Sequence, residues 1–245
     1  MYIKCQDLTY SYFSNSPPIF QGIGFNISEP GFYALFGLSG VGKSTLARLL
    51  TKRSPVSSGV ITGKIETDLK SILYAHDSER LPEWIPIKKH LYEVTPLQNH
   101  GLLNELIESY GLRDVMAKRF SSLSMGQKNR VNLIRYLLQN WDMLITDEVL
   151  ANVDEPTRYT ILYSIKRLFP NRILLYISHN AIEVVRFSKR IFILPQMPAG
   201  ATHLFEMPGL NQYLQPPDEK QVQLSLYELL RTASCGVKME DRRTI

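Results

Sequence analysis

At 245 residues the chain is long enough to bury a full core, as one large domain or as a core with one insertion, and 44% hydrophobic with 21% charged content excludes a disordered polypeptide. Two cysteines, Cys5 and Cys235, are too few for a disulfide framework and point to a reducing, intracellular setting. The net charge of +5 is mild and its acidic residues are interleaved. It fits a solvated surface, or a basic face toward a membrane or polyanion, and no run of Lys and Arg argues for nucleic acid.

From the N-terminus, YIKCQDLTYSY (2–12) and GIGFNIS (22–28) read as strands on either side of an SNSPP turn. GFYALFG (31–37) reads as a buried strand and runs into GVGKSTLARLLTK, where Leu46, Leu49 and Leu50 fall at helical spacing. SILYA (71–75), MLIT (143–146), ILLYI (173–177) and RIFIL (190–194) read as further buried strands. These apolar runs are far shorter than a membrane span, and the start has no run of signal-peptide type. Residues 78–140, including LLNELIESYGL and MGQKNRVNLIRYLLQN, are helical in pattern and predict an insertion in an α/β core with a largely parallel sheet. From 206 onward, PPDEKQVQLSLYELLRTAS predicts one terminal helix followed by a polar end.

The stretch from Gly37 to Thr45, GLSGVGKST, matches the phosphate-binding loop pattern, with a buried strand entering and an amphipathic helix leaving. Its glycines let successive backbone N–H groups point at phosphate oxygens, and the helix N-terminus adds partial positive charge. Lys43 is then placed for the β- and γ-phosphates and the Ser44 hydroxyl for Mg²⁺. MLITDE supplies Asp147 for the Mg²⁺ shell and Glu148 to polarise the attacking water; without the loop the pair would read as a solvated strand end. His179 closes another strand, ILLYISHN. The C-terminal edges of parallel strands form one rim, which brings His179 to the γ-phosphate.

In order along residues 2–195, these pieces resemble the ATP-binding-cassette ATPases, the nucleotide-binding subunits of ABC transporters. GLSGVGKST is similar to the family's Walker A, MLITDE to Walker B with its catalytic glutamate, ANVD (151–154) to the D-loop, and LSMGQ (123–127) to the LSGGQ signature. The resemblance implies an α/β fold: a P-loop NTPase, RecA-like core (1–77 and 141–205), an antiparallel β edge subdomain, an inserted α-helical subdomain (78–140), and a tail (206–245). It implies ATP and Mg²⁺ as ligands, with Glu148, His179 and Lys43 catalytic. Nucleotide contacts would come from Tyr12, Gly37, Ser39, Gly40, Val41, Gly42, Lys43, Ser44, Thr45, Ser124, Gly126, Gln127 and Asp154. In the family two cassettes pair head to tail, so Ser124 and the Gly126 N–H would touch the γ-phosphate held by Lys43 of the partner subunit. An ordinary helix cap also explains Ser124, but leaves the Gly-Gln that follows without a reason. Tyr12 takes the place of the adenine-stacking aromatic, with Tyr10 and Phe13 as competitors.

The family's core-to-insertion glutamine is replaced by Asp77, a candidate third metal-facing residue, with His76 beside it. Met125 replaces the first signature glycine and is strained if the backbone there needs a positive φ, at about 1–3 kcal/mol. DEVL stands where Asp-Glu-Pro is usual. None of these removes the Lys, Asp, Glu or His, which favours an active, slow ATPase. DEVLANVDEPTR and RIFILPQMPAGATHLFEMPGL resemble the nitrate/sulfonate/taurine importer branch. The resemblance implies an ATPase subunit that energises a binding-protein-dependent importer. Its partners would be a second cassette (homodimer or other pair), a transmembrane permease and, through it, a substrate-binding protein, with no nucleic acid. It would be cytoplasmic, peripheral on the inner face of the membrane. Leu81, Trp84, Ile85 and Ile87 either line the permease groove or pack the insertion. The alternatives are a soluble cassette ATPase acting on ribosomes or DNA, and a regulatory cassette with weak turnover.

Overall fold

The computed structural model describes residues 1–51, 59–76, 83–196, 203–213 and 217–235. Its strands form two sheets. β1 (Ile3–Ser11) lies between β2 (Phe20–Ile27) and β4 (Val60–Thr67) in a three-stranded antiparallel sheet. The second sheet has six strands in the order β5-β6-β7-β3-β8-β9: Ile72–His76, Met143–Asp147, Ile173–Ile177, Gly31–Phe36, Arg190–Ile193 and Phe205–Pro208. All its pairings are parallel except β8 with β9. β6 and β7 are buried at every position, because helices cover one face and the smaller sheet with α1 (Lys43–Leu50) covers the other.

Alternation along β3 divides the core. Phe32, Ala34 and Phe36 join the helical side, whereas Tyr33 and Leu35 meet β1, β2 and the Leu46, Ala47 and Leu50 face of α1. Burying each such leucine is worth about 1.5–3 kcal/mol, which anchors α1 and the loop before it to the sheet.

Between β5 and β6 the described chain is helical: α2 (Ile87–Val94), α3 (His100–Ser109) and α4 (Met125–Leu137), with one isolated bridge, Pro86 to Arg119. Trp84 is 75% exposed while Ile87 is buried, so only part of the apolar group named above packs the insertion; Leu81 lies outside the described residues. α5 (Glu155–Leu168), α6 (Ala181–Phe187) and α7 (Glu219–Cys235) complete the molecule, with α7 burying Val222, Leu229 and Ala233. The polar end from 236 lies outside the described residues.

Two strands and three helices go beyond the elements read from sequence. β4 is exposed along its first five residues and hangs on β1 alone, so VITGKIET carries little hydrophobic signal. β9 is four residues long and carries the main sheet past residue 205. α2, α5 and α6 are short or mixed in composition and are held by packing more than by their own periodicity.

Candidate active site

Parallel register brings the strand ends to one rim. His76 pairs with Asp147, Asp147 with Ile177, and Leu35 with Ile177, so β3 delivers the loop from Gly37 to Gly42 beside the ends of β6 and β7. Gly42 is the N-cap of α1, with φ 101 and no side-chain cap, and a Cβ there would stand 2.5 Å from Ile19 Cγ2. Only glycine fits, and among the described residues no side-chain cap closes the start of α1. Ser39 and Gly40 are exposed at the tip, Gly37 and Val41 are buried, and Ser44 is half-buried. Lys43 is buried, its Nζ donating to the Gly37 carbonyl at 2.8 Å and the Leu38 carbonyl at 2.9 Å. Burial lowers its pKa, opposed by the charges of Glu148 and Asp147.

Tyr12 is 46% exposed, and its hydroxyl is 2.8 Å from Thr45 Oγ1, which fixes the ring beside the loop. Its edge rests on Tyr10, with ring centroids 5.3 Å apart. Tyr10 is 1% exposed and belongs to the core, which removes it as a stacking candidate; Phe13 remains exposed.

Asp147 is buried at the end of β6, and Tyr74 on β5 donates its hydroxyl to Asp147 Oδ2 at 2.6 Å. Burial and then this bond push the Tyr74 pKa up, so the phenol stays protonated and keeps donating. Glu148 follows in left-handed backbone, φ 57, held by its N–H donating to the Ile177 carbonyl at 3.0 Å. A non-glycine residue there costs about 1–3 kcal/mol, and the strain turns Glu148 off the strand line. His179 Nε2 is 2.9 Å from Glu148 Oε1. Burial, aided by the Lys43 charge and opposed by Asp147, lowers the His179 pKa, so the ring beside Glu148 is neutral near neutral pH. Asp77 lies outside the described residues.

The turn at 123–127 opens α4. Ser124 is the N-cap, accepting the Gln127 N–H at 3.3 Å, and the Gln127 side chain accepts the Ser124 N–H at 3.0 Å, a reciprocal capping box. The cap therefore accounts for Gln127 as well, correcting the expectation that it left that residue unexplained. Met125 is 54% exposed at the first helical position and is absent from the described non-glycine residues with positive φ, so its replacement of glycine stores no strain. A Cβ on Gly126 would stand 2.2 Å from the Asn152 carbonyl oxygen, so the 151–154 loop needs glycine here. Asp154 caps α5, accepting the Thr157 N–H at 3.0 Å, and its hydrogen bonds with Thr157 lower its pKa.

The family model for ABC transporters matches residues 20–151, more than half the chain. The chain belongs to the ABC transporter family. It is 30% identical over 199 residues to an uncharacterized ABC transporter ATP-binding protein of Haemophilus influenzae, covering 78% of this chain and 81% of that one. It is 25% identical over 231 residues to the formylaminopyrimidine import ATP-binding protein ThiZ of Halalkalibacterium halodurans, covering 90% of each. An inward-facing structure of a metal-chelate type ABC transporter shares the fold, with TM-score 0.66, 18% identity, and coverage of 84% of this chain and 82% of that one.

The cassette's donor set fits a magnesium ion shared with phosphate. Ser44 and Asp147 offer hard oxygen ligands, and among the described residues no group of three or more His, Cys, Asp or Glu forms a cage of its own. Three of its polar side chains were not legible in the sequence. Tyr74 reaches Asp147 across 73 residues, and Arg158 and Glu183 meet across 25 and line one cavity with His179. A tyrosine on a strand, or an Arg and a Glu on separate helices, carries no motif.

Proposed function

We propose that this ABC protein hydrolyses Mg-ATP at a site completed by a second cassette and energises a membrane import complex. The placement of Glu148, against His179 and next to Asp147 on the rim that carries the uncapped P-loop, is the observation that supports this most directly. Lys43 and the backbone N–H groups around it hold the β- and γ-phosphates, and Tyr12 stacks on the adenine. Glu148 takes the proton of the attacking water, and His179 fixes Glu148 while facing the γ-phosphate. Ser44 and Asp147 would hold Mg²⁺, which supplies charge neutralisation on the phosphate oxygens. Ser124, Gly126 and Asp154 act across the interface with a second copy.

The import reading draws on the ThiZ relative, named as an import ATP-binding protein and matched over 90% of both chains. Among the described residues no helix is long and apolar enough to cross a membrane, and in this reading a permease supplies the path across it. In this reading residues 1–205 form the cassette around the insertion at 78–140, and it sits on the inner face of the membrane beneath that permease. Exposed Trp84 is part of the surface offered to the permease, and a substrate-binding protein acts through the permease.

The deciding experiment is Glu148→Gln. Loss of a positioned general base costs about 10²–10⁴-fold in turnover. ATP binding should persist, and light scattering should report a dimer at saturating Mg-ATP. Turnover equal to wild type removes Glu148 from its role, and a monomer counts against the shared site. Purification from membranes without any multi-span protein would defeat the transport assignment alone.

A further inference from the structure

Glu183 is 0% exposed and stands four residues beyond His179, in the first turn of α6. Donors surround its carboxylate. Arg158 Nε lies 2.5 Å and Asn180 Nδ2 3.0 Å from Oε1, and the Tyr176 hydroxyl is 2.7 Å from Oε2. Asn180 returns the contact by accepting the Glu183 N–H at 3.2 Å, and its own N–H donates to Ser178 Oγ at 3.1 Å. The 178–180 segment that carries His179 is thus tied through Asn180 to Glu183, by Nδ2 to its buried carboxylate and by Oδ1 to its backbone N–H.

The same guanidinium has a second attachment. Arg158 Nη1 donates to the Val153 carbonyl, and the neighbouring Asn152 carbonyl abuts Gly126. Contacts therefore run without a break from the signature turn through the 151–154 loop, Arg158 and Glu183 to Asn180. A cavity of about 220 Å³ lined by Glu148, His179, Arg158 and Glu183 lies alongside this path. An arginine fork suits such a joint, because its planar donors fix two acceptors in one geometry where a lysine could satisfy only a point charge. A buried carboxylate that loses one partner is left uncompensated, so movement at one end of the path is not absorbed locally.

We propose that Arg158 and Glu183 are positioning residues that couple the 151–154 loop to His179. A second copy seated against the loop and signature turn would thereby set the His179–Glu148 contact. This rests on the shared-site reading above. Amide hydrogen exchange on the full chain without nucleotide tests it independently of ATP turnover. Arg158→Lys keeps the charge beside Glu183 but gives up the fork, and Glu183→Gln keeps the shape but loses the charge. Either substitution should raise exchange about tenfold in both 150–154 and 178–183 while leaving β6 unchanged. Loosening in only one of these two segments overturns the coupling. If β6 also loses protection, Tyr176→Phe, which removes one donor and keeps the pair, replaces them. It should raise exchange in both segments by a smaller factor, and no change in 150–154 overturns the proposal. In turnover assays Arg158→Lys should lower kcat about tenfold with KM for ATP within about twofold. Wild-type-like kcat in Arg158→Lys overturns the proposal. A wild-type chain that hydrolyses no ATP counts instead against the proposed function, and the exchange result still decides the coupling.

Discussion

Two helices begin where an anion is expected, and they begin differently. α1 starts at a left-handed glycine with no side-chain cap, and its Lys43 is buried against the loop carbonyls. α4 starts at Ser124 in extended backbone and closes its own end with the Gln127 box. An end without a side-chain cap keeps its N–H groups for a ligand, whereas a boxed end has used the N–H of Gln127 and of Ser124 itself. The α4 end still offers its remaining N–H groups and the hydroxyl proton of Ser124, whose oxygen is the accepting atom in the cap. In the proposed function the P-loop end accordingly binds nucleotide by itself, and the signature end adds contacts to a phosphate already held.

The largest blow to this contrast is Lys43→Ala. A hydrogen bond to a charged group is worth about 1.5–3 kcal/mol, so ATP affinity should fall by about 10–150-fold, read by fluorescent-nucleotide titration. Ser124→Ala should do the opposite of Lys43→Ala. Binding by the isolated chain should hold, while turnover drops and the lost cap costs about 1 kcal/mol in denaturant unfolding. Unchanged turnover would leave Ser124 as a cap and nothing more. Tyr74→Phe sharpens the P-loop side. Losing about 1 kcal/mol of orientation at Asp147 should raise the Mg²⁺ needed for half-maximal ATP binding about fivefold and leave metal-free ATP binding unaltered.

The smallest effect is electrostatic. His179 should titrate by NMR below its ordinary value of 6.5, and Lys43→Ala should move it upward by removing a repelling cation. The sign for stability follows. The fold favours the neutral ring, so His179's contribution is present above the ordinary value and is lost as pH falls through the lowered one. A titration that ignores Lys43→Ala would separate the ring from the P-loop.

How much of this was legible varies with where each partner lies. GFYALF, MLITD and ILLYI are continuous apolar runs, and their burial at nearly every position is what a doubly covered parallel sheet requires. Strand order and register then place Asp147 and His179 on the rim, so their positions follow from the motifs. VITGKIET stayed hidden because its partner, β1, supplies the order that its own pattern lacks. Tyr74 stayed hidden because nothing in ILYAH announces that its hydroxyl meets Asp147. Gln127 has a local reason in the sequence as well, since Ser-x-x-Gln is a capping box whatever else it does.

The left-handed backbone at Glu148 has an outcome for anyone hardening this protein against heat. Glycine at 148 would relax a conformation that costs about 1–3 kcal/mol, against about 0.5–1 kcal/mol of extra chain freedom in the unfolded state. A screen that rewards only survival at high temperature would enrich that variant, which in the proposed function still grips ATP and has lost the carboxylate that activates water.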